Sequence, residues 1–390
     1  MTRAQQGAGH SRHRGRVRMS KCAPRRGAGV QELPRLGFNT PVRPVRETAA
    51  VSPPSIMTST RRSDFDVTNS VQVSSPAAVL AAVEALYRPT WPGLSLQPLA
   101  RAFEHFERLF AGKVAGFHGV DTVYHDRQHT LDITLALARL IVGYERQQEE
   151  SARLGGARAM VGLVTGLFHD VGYLRRTDDK DSRNGAEFTR THVSRGARFL
   201  QEYLPVLGFR SWVPVASEII HFTGYEVPFA RIEETVSDAR DITVGHLLGT
   251  ADMIAQMADR CYLEKCRDRL YAEFVLGGVA LPFSQGNPRV KYASGLDLLR
   301  QTPEFVAEVR SKRLDGDFHA AYRYLEVLYG GGNPYMEAIE RNIVYLRQVL
   351  RSESWQLLRR RPPIFAASND PMATMRGLML GHIKRVWSGN

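Results

Sequence analysis

The sequence predicts an all-α protein. Three observations carry the prediction. From about residue 76 to residue 351, apolar residues recur at three- and four-residue steps. No run alternates convincingly with period two, so a sheet is not expected. Stretches rich in Gly, Pro or charge separate the periodic segments at 89–95, 172–185, 223–230, 277–296 and 330–334.

Residues 76–87 (PAAVLAAVEALY) follow Ser74 and Ser75, which suit a helix start. Leu99, Phe103, Phe106, Leu109 and Phe110 define a second helix, and Leu131, Leu135, Ala138 and Leu140 a third. Further helices are expected at 157–170, 186–204, 213–222, 241–276, 298–312, 317–329 and 335–351, with a weaker signal at 371–387. There is no internal repeat. At 390 residues and 43% hydrophobic content the chain can fill one large core or two domains.

The net charge is +12, but residues 1–62 hold 13 of the 52 Lys and Arg and only two of the 40 acids. That segment therefore carries +11, and the remaining 328 residues are close to neutral. Residues 1–72, rich in Arg, Pro, Ser and Gly, are expected to be a disordered tail. Their composition also fits an organellar transit peptide, and a translation start at Met57 is the plainer reading. The basic segment 1–62 holds a single aromatic residue, Phe38, and lacks the aromatic interleaving of a nucleic-acid-binding arm, so no nucleic-acid partner is expected. The helical domain spans 73–351, and 352–390 form a C-terminal extension richer in Arg, Pro and Gly. Cys22, Cys261 and Cys266 make no disulfide framework, which fits a reducing cytoplasm. No apolar run approaches the roughly 18 residues of a membrane span, and no secretory h-region lies in residues 1–30.

The chemistry is concentrated in a few segments: Tyr124-His125-Asp126-Arg127-Gln128-His129-Thr130-Leu131-Asp132, then His169-Asp170 in Leu167–Tyr173, then His192, His221 and Asp252. Imidazole and carboxylate together ligate divalent transition metals. His169-Asp170 ends an apolar run of Met160, Leu163, Val164, Leu167 and Phe168, with Gly172 placed to stop that helix. Burying a carboxylate at the end of an apolar helix makes sense beside a cation. An i,i+4 spacing would set His125 and His129 on one helix face. His192 also reads as a solvated helix-start histidine, and His221 as a core histidine beside Ile219 and Ile220.

The order His…His-Asp…Asp resembles that of the HD superfamily of metal-dependent phosphohydrolases. Tyr124-His125-Asp126-x-x-His129-Thr130-x-Asp132 resembles the YHN-x-x-HA-x-D signature of cyclic-nucleotide phosphodiesterases. Thr250-Ala251-Asp252 resembles their TAD, and Glu273-Phe274 falls at the spacing of their EF. The resemblance covers roughly residues 115–280. It implies an HD-domain, phosphodiesterase-like helical bundle and hydrolysis of a nucleotide phosphodiester or phosphoester. It also implies two divalent ions, of Mn, Fe, Zn or Mg. His129, His169, Asp170 and Asp252 would hold the first ion, with Asp170 bridging to the second. His125 would be the general acid, and Asp132 would orient an imidazole. His192 and His221 resemble the extra histidines of binuclear HD proteins, including the HD-GYP type. Arg127, Lys265, Arg267 and Arg269 are candidate phosphate-binding cations, although the last three also read as a solvated helix face of alternating charge. Tyr173 and Tyr225 could stack on a base.

Two departures bear on the substrate. Asp126 stands where the phosphodiesterases carry Asn, and Gly277 falls where counting on from Glu273-Phe274 puts a purine-binding Gln. Cyclic AMP and GMP are thereby less favoured; other nucleotides, alarmones and cyclic dinucleotides stay open. Two other classes share these ligands: HD-type di-iron oxygenases resembling myo-inositol oxygenase, and non-catalytic HD signalling modules. His125 favours hydrolysis, because an oxygenase needs no proton donor there. The oligomeric state is left open.

Overall fold

The structure is a computed structural model that describes residues 61–284 and 287–388. The expectations for the basic tail up to residue 60 lie outside the described residues. The described fold is all-helical apart from an antiparallel hairpin of two-residue strands, Phe283–Ser284 with Asn287–Pro288.

Helix α3 (Arg127–Gln147) is the axis. Eighteen of its residues are buried, from Gln128 to Glu145, so it is enclosed on every face rather than amphipathic. Helices α1 (Pro76–Thr90), α4 (Gly155–Leu167) and α8 (Ala239–Ala258) pack around it. A 3₁₀ segment at Ala321–Leu328 crosses it at Gly143, where a Cβ would lie 2.0 Å from the Tyr324 carbonyl. Only glycine allows that approach. Helix α2 (Gln97–Phe110) lays Leu99, Phe103, Phe106 and Leu109 into the same core. Ser75 caps α1 through Ala78 N–H, as its position predicts.

The helix expected at 157–170 stops at Leu167, so His169 and Asp170 lie in the turn beyond it. Gly172 serves another purpose than stopping that helix. A Cβ there would meet the His192 carbonyl at 1.8 Å, so the glycine lets α5 (His192–Tyr203) start against the turn; the short helices α6 (Val213–Ile219) and α7 (Phe229–Thr235) follow before α8. The long helix expected at 241–276 breaks after Ala258. Asp259 turns its carboxylate to Cys261 N–H (2.7 Å) and Lys265 (2.5 Å). Distant side chains cap the end of α8: Asn342 donates to the carbonyls of Met257 and Asp259, and Arg61 to that of Ala258. The chain resumes as α9 (Tyr262–Lys265), a π segment (Cys266–Leu270) and α10 (Tyr271–Leu276). The helix expected at 298–312 is α11 (Gly295–Glu308) followed by a π segment to Asp317. The 317–329 segment is 3₁₀, entered through His319 and Ala320 in the left-handed region. Helix α12 (Pro334–Ser352) matches the last strong periodicity.

Order begins earlier than residue 73. Asp66 is buried and accepts the amides of Thr68, Ser70 and Val71 at 2.8–3.1 Å. It pairs with Arg139 of α3 at 2.8 Å. Burial alone would raise its pKa; Arg139 and these donors outweigh it and hold the carboxyl at about 2. Composition marked 61–72 as tail because the stabilising partner, Arg139, lies more than sixty residues away. At the other end, α13 (Pro371–Ser388) packs on α10, with Met375 buried beside Val123, Ala272 and Leu276. No helix among the described residues is long and apolar enough to cross a membrane.

Candidate metal centre and its cavity

Asp126 sets the start of α3. Its Oδ1 accepts from Gln128 N–H (3.0 Å) and His129 N–H (3.1 Å), so His129 is fixed in the first turn. Its Oδ2 accepts Phe365 N–H (3.2 Å) and lies 3.8 Å from the Arg269 guanidinium. A charged residue at this position therefore has a charged partner. The cap also places His125 before the helix, so His125 and His129 do not share a helix face as expected. Their rings meet edge to face at 5.4 Å instead.

The end of α4, the start of α3 and the middle of α8 converge on one point. His129, His169 and Asp252 are buried with their ligand atoms within 4.8 Å of one another, as are those of His125, His129 and Asp170. Asp170 lies at the centre. Its Oδ2 is 3.4 Å from His129 Nε2 and 3.1 Å from His169 Nε2, and its Oδ1 is 3.8 Å from His192 Nε2. Asp252 Oδ1 stands 4.0 and 3.9 Å from His129 and His169. Gln256, one turn on, donates to the Asp252 carbonyl at 3.1 Å and accepts from the Tyr124 hydroxyl at 3.1 Å.

The donor set fits a cation. His169 Nδ1 faces the Gly166 carbonyl at 2.8 Å, and His192 Nδ1 the Thr189 carbonyl at 2.9 Å. Each bond places a ring proton on Nδ1 and aims Nε2 inward, the atom available to a ligand. His169 Nε2 and Asp170 Oδ2 are buried 3.1 Å apart, and beyond the surrounding His/Asp cluster neither meets a hydrogen-bond partner among the described residues. The cluster has no donor or acceptor from outside it on these inward atoms, which leaves room there for another species. Burial lowers the His169 pKa, but Asp170 outweighs burial and pushes it up to about 9. Burial likewise disfavours the charged Asp170, yet His169 and the neighbouring imidazoles hold its carboxyl well below the usual range. Burial and the nearby His125 bring His192 down to about 4 against the pull of Asp170. These buried His/Asp groups can hold a metal ion.

His125 is built differently. Glu273 is wholly buried, with Oε1 accepting the amides of Val123 and Tyr124 (both 2.6 Å) and Oε2 2.5 Å from His125 Nδ1. Burial lowers the His125 pKa, but Glu273 outweighs it and the net shift is upward. Tyr173 stacks on the ring at 4.4 Å and on that of His192 at 4.4 Å. Glu273 thus does for His125 what Asp132 was expected to do for an imidazole. Asp132 bonds no imidazole; it faces Asp259, Arg61, Asp66 and Lys265, and burial and Asp259 raise its carboxyl to about 7.

His125, His129, Asp170, His192 and Asp252 all open onto one cavity of about 810 Å³. None of the four expected phosphate-binding cations is in it. Lys265 is buried against Asp259, Arg267 pairs with Asp268 and donates to the Leu358 carbonyl, and Arg127 faces the Phe365 ring. Arg269 is likewise drawn away, to the carbonyls of Pro362 and Pro363. The cavity's cations are Arg190, Lys291, Lys312 and Arg313, in segments that carried no motif. His221 also stands apart. It joins neither metal-competent group, and Glu226 and Glu218 are the carboxylates acting on it. Gly277 packs against Thr189 and Ala186, whereas Gln301 reaches the cavity. Of the tyrosines singled out, Tyr173 and Tyr225 both line it.

No family model matches the chain, and neither the curated proteins nor the solved structures give a match.

Proposed function

We propose that this protein is a metal-dependent phosphohydrolase of the HD type, acting on a phosphoester of a nucleotide. The observation that carries the reading is the pairing, on one cavity wall, of the cluster around Asp170 with an imidazole oriented from behind by a buried carboxylate. His129, His169, Asp170 and Asp252 would hold one divalent ion. The second oxygen of Asp170, with His192, would contribute to holding another. When bound, such ions supply water activation and neutralisation of phosphoryl charge.

The remaining steps belong to side chains. Glu273 keeps the proton of His125 on Nδ1 and favours protonation of Nε2, which faces the cavity. That nitrogen gives its proton to the departing ester oxygen. An oxygenase has no use for a proton donor so oriented. Gln301 lines the same cavity as Phe274, Phe305 and Tyr292; its Nε2 donates to the Lys291 carbonyl and Asp297 (both 3.3 Å), and its amide oxygen with those rings suits the edge and face of a nucleobase.

The test compares leaving groups. His125→Ala should reduce hydrolysis of a dinucleoside phosphodiester, with its alkoxide leaving group, by ~10²–10⁴-fold. It should change hydrolysis of a p-nitrophenyl diester far less, because nitrophenolate departs without a proton. Equal losses on both would remove the general-acid role, and full activity on both would remove His125 from the reaction.

A further inference from the structure

Arg313 is the cavity cation whose surroundings are most completely built. It lies in the π segment after α11. Its guanidinium faces the Tyr225 ring at 3.9 Å and the Phe229 ring at 4.6 Å from the centroids. Its donors reach only the Gly224 carbonyl, at 3.4 Å. Among the described residues, no carboxylate lies within ion-pair distance of it. Nearby Glu226 is committed to the first turn of α5, accepting Val193 N–H at 2.8 Å and Ser194 N–H at 3.0 Å. Asp317 lines the same rim and makes no ion pair with a described cation. The planar group thus lies against two aromatic faces, the half-buried Phe229 and the largely exposed Tyr225, while most of its donor edge is left unused.

Its position is equally specific. With Tyr225 and Asp317, Arg313 lines both the metal-centre cavity and an adjoining recess of about 440 Å³ formed with Val227, Pro228 and Phe229. A compact ligand on the His/Asp cluster would have no need of that recess. Arg190 and Lys291, also on the cavity wall, likewise lack a carboxylate partner among the described residues.

We infer that the substrate carries a second phosphate, remote from the scissile one, and that Arg313 binds it at the junction of the cavity and the recess. This rests on the hydrolase reading for where the scissile group sits. The substrate class is then a nucleotide phosphodiester with a separate terminal phosphate, rather than a compact cyclic mononucleotide. Arg313 determines specificity and takes no part in bond breaking. Its fork suits two phosphate oxygens, and its stacked pose reduces the ordering cost of binding them.

The experiment uses the full chain and two probes, linear diadenylate with and without a 5′-phosphate. The wild type should prefer the phosphorylated form in kcat/KM, and Arg313→Ala should shrink that preference by ~30-fold, chiefly through KM. Arg313→Gln, which keeps a planar group against Tyr225, should shrink it similarly and guards against a packing defect. Equilibrium dialysis of both probes against metal-free protein supplies a readout independent of turnover. If neither probe is hydrolysed but Arg313→Gln still weakens binding of the phosphorylated probe selectively, the hydrolase reading fails and the phosphate site stands. A preference unchanged in both variants, or equal binding of the two probes by the wild type, would overturn the inference.

Discussion

Helix α3 contributes to two buried charge clusters, and their difference shows what separates a functional site from structural charge. The first, at its N-terminal end, joins His129 to His169, Asp170 and Asp252. The second, a turn or more along, joins Asp132 and Arg139 to Asp66, with Asp259 and Lys265 nearby. Both are buried and both mix elements distant in sequence. In the second, permanent cations pair with two of the three carboxylates, and the third, Asp132, is held towards its protonated form: Arg139 meets Asp66 at 2.8 Å and the Tyr335 hydroxyl at 2.7 Å, and Lys265 meets Asp259 at 2.5 Å. In the first there is no Lys or Arg among the ligand atoms, and the cluster opens on the cavity. Burial of charge alone does not distinguish the two. Imidazoles gathered around a carboxylate that faces open volume do.

The comparison can be broken from the structural side. Asp66→Ala leaves Arg139 buried without its carboxylate and frees three amides. It should cost about 3–5 kcal/mol in a urea titration, while the metal content of the folded protein stays at the wild-type value. Loss of metal together with stability would mean that the two clusters act as one unit.

Asp132 sharpens the comparison on the pH axis. Its folded pKa, about 7, lies above its ordinary value of 3.8, so the folded state holds a proton that the unfolded state has released between those limits. This contribution to stability is complete below the lower value and is lost as pH rises towards 7, up to roughly 4 kcal/mol. Asp132→Asn imitates the protonated acid. Its thermal midpoint should exceed that of the wild type at pH 8 and converge with it near pH 4. An Asn variant that keeps the wild-type slope would place the titration elsewhere.

Much of the site was legible in the sequence. His129, His169, Asp170, His192 and Asp252 sit in helical or turn segments whose apolar neighbours mark burial, and the fold gathers them. What the sequence hid depends on long-range pairing. Glu273 was visible only as half of a dipeptide at the right spacing, and its bond to His125 spans 148 positions. Asp132 was expected to be the orienting acid because it matches the Asp of the phosphodiesterase signature, yet its side chain faces the Arg61 and Asp259 side. Lys265 and Arg267 read as free cations because alternating charge does not reveal a buried partner or a carbonyl on a returning strap. Arg313 was missed because a lone Arg in a charged helix has no local signal; Tyr225 and Phe229, which stack on it, come from a different segment. The ends of α8 and of the expected tail shifted for the same reason: Arg61, Asn342 and Arg139 provide caps and partners that periodicity cannot register.

Metal content and turnover, measured together on the full chain purified without chelator, test the central claim most directly. The wild type should hold about two divalent cations per chain and hydrolyse bis-p-nitrophenyl phosphate, while Asp170→Ala should lose the cations and at least ~10³-fold of the turnover. Unchanged cation content in Asp170→Ala, or a wild type that holds no divalent cation, would contradict the account.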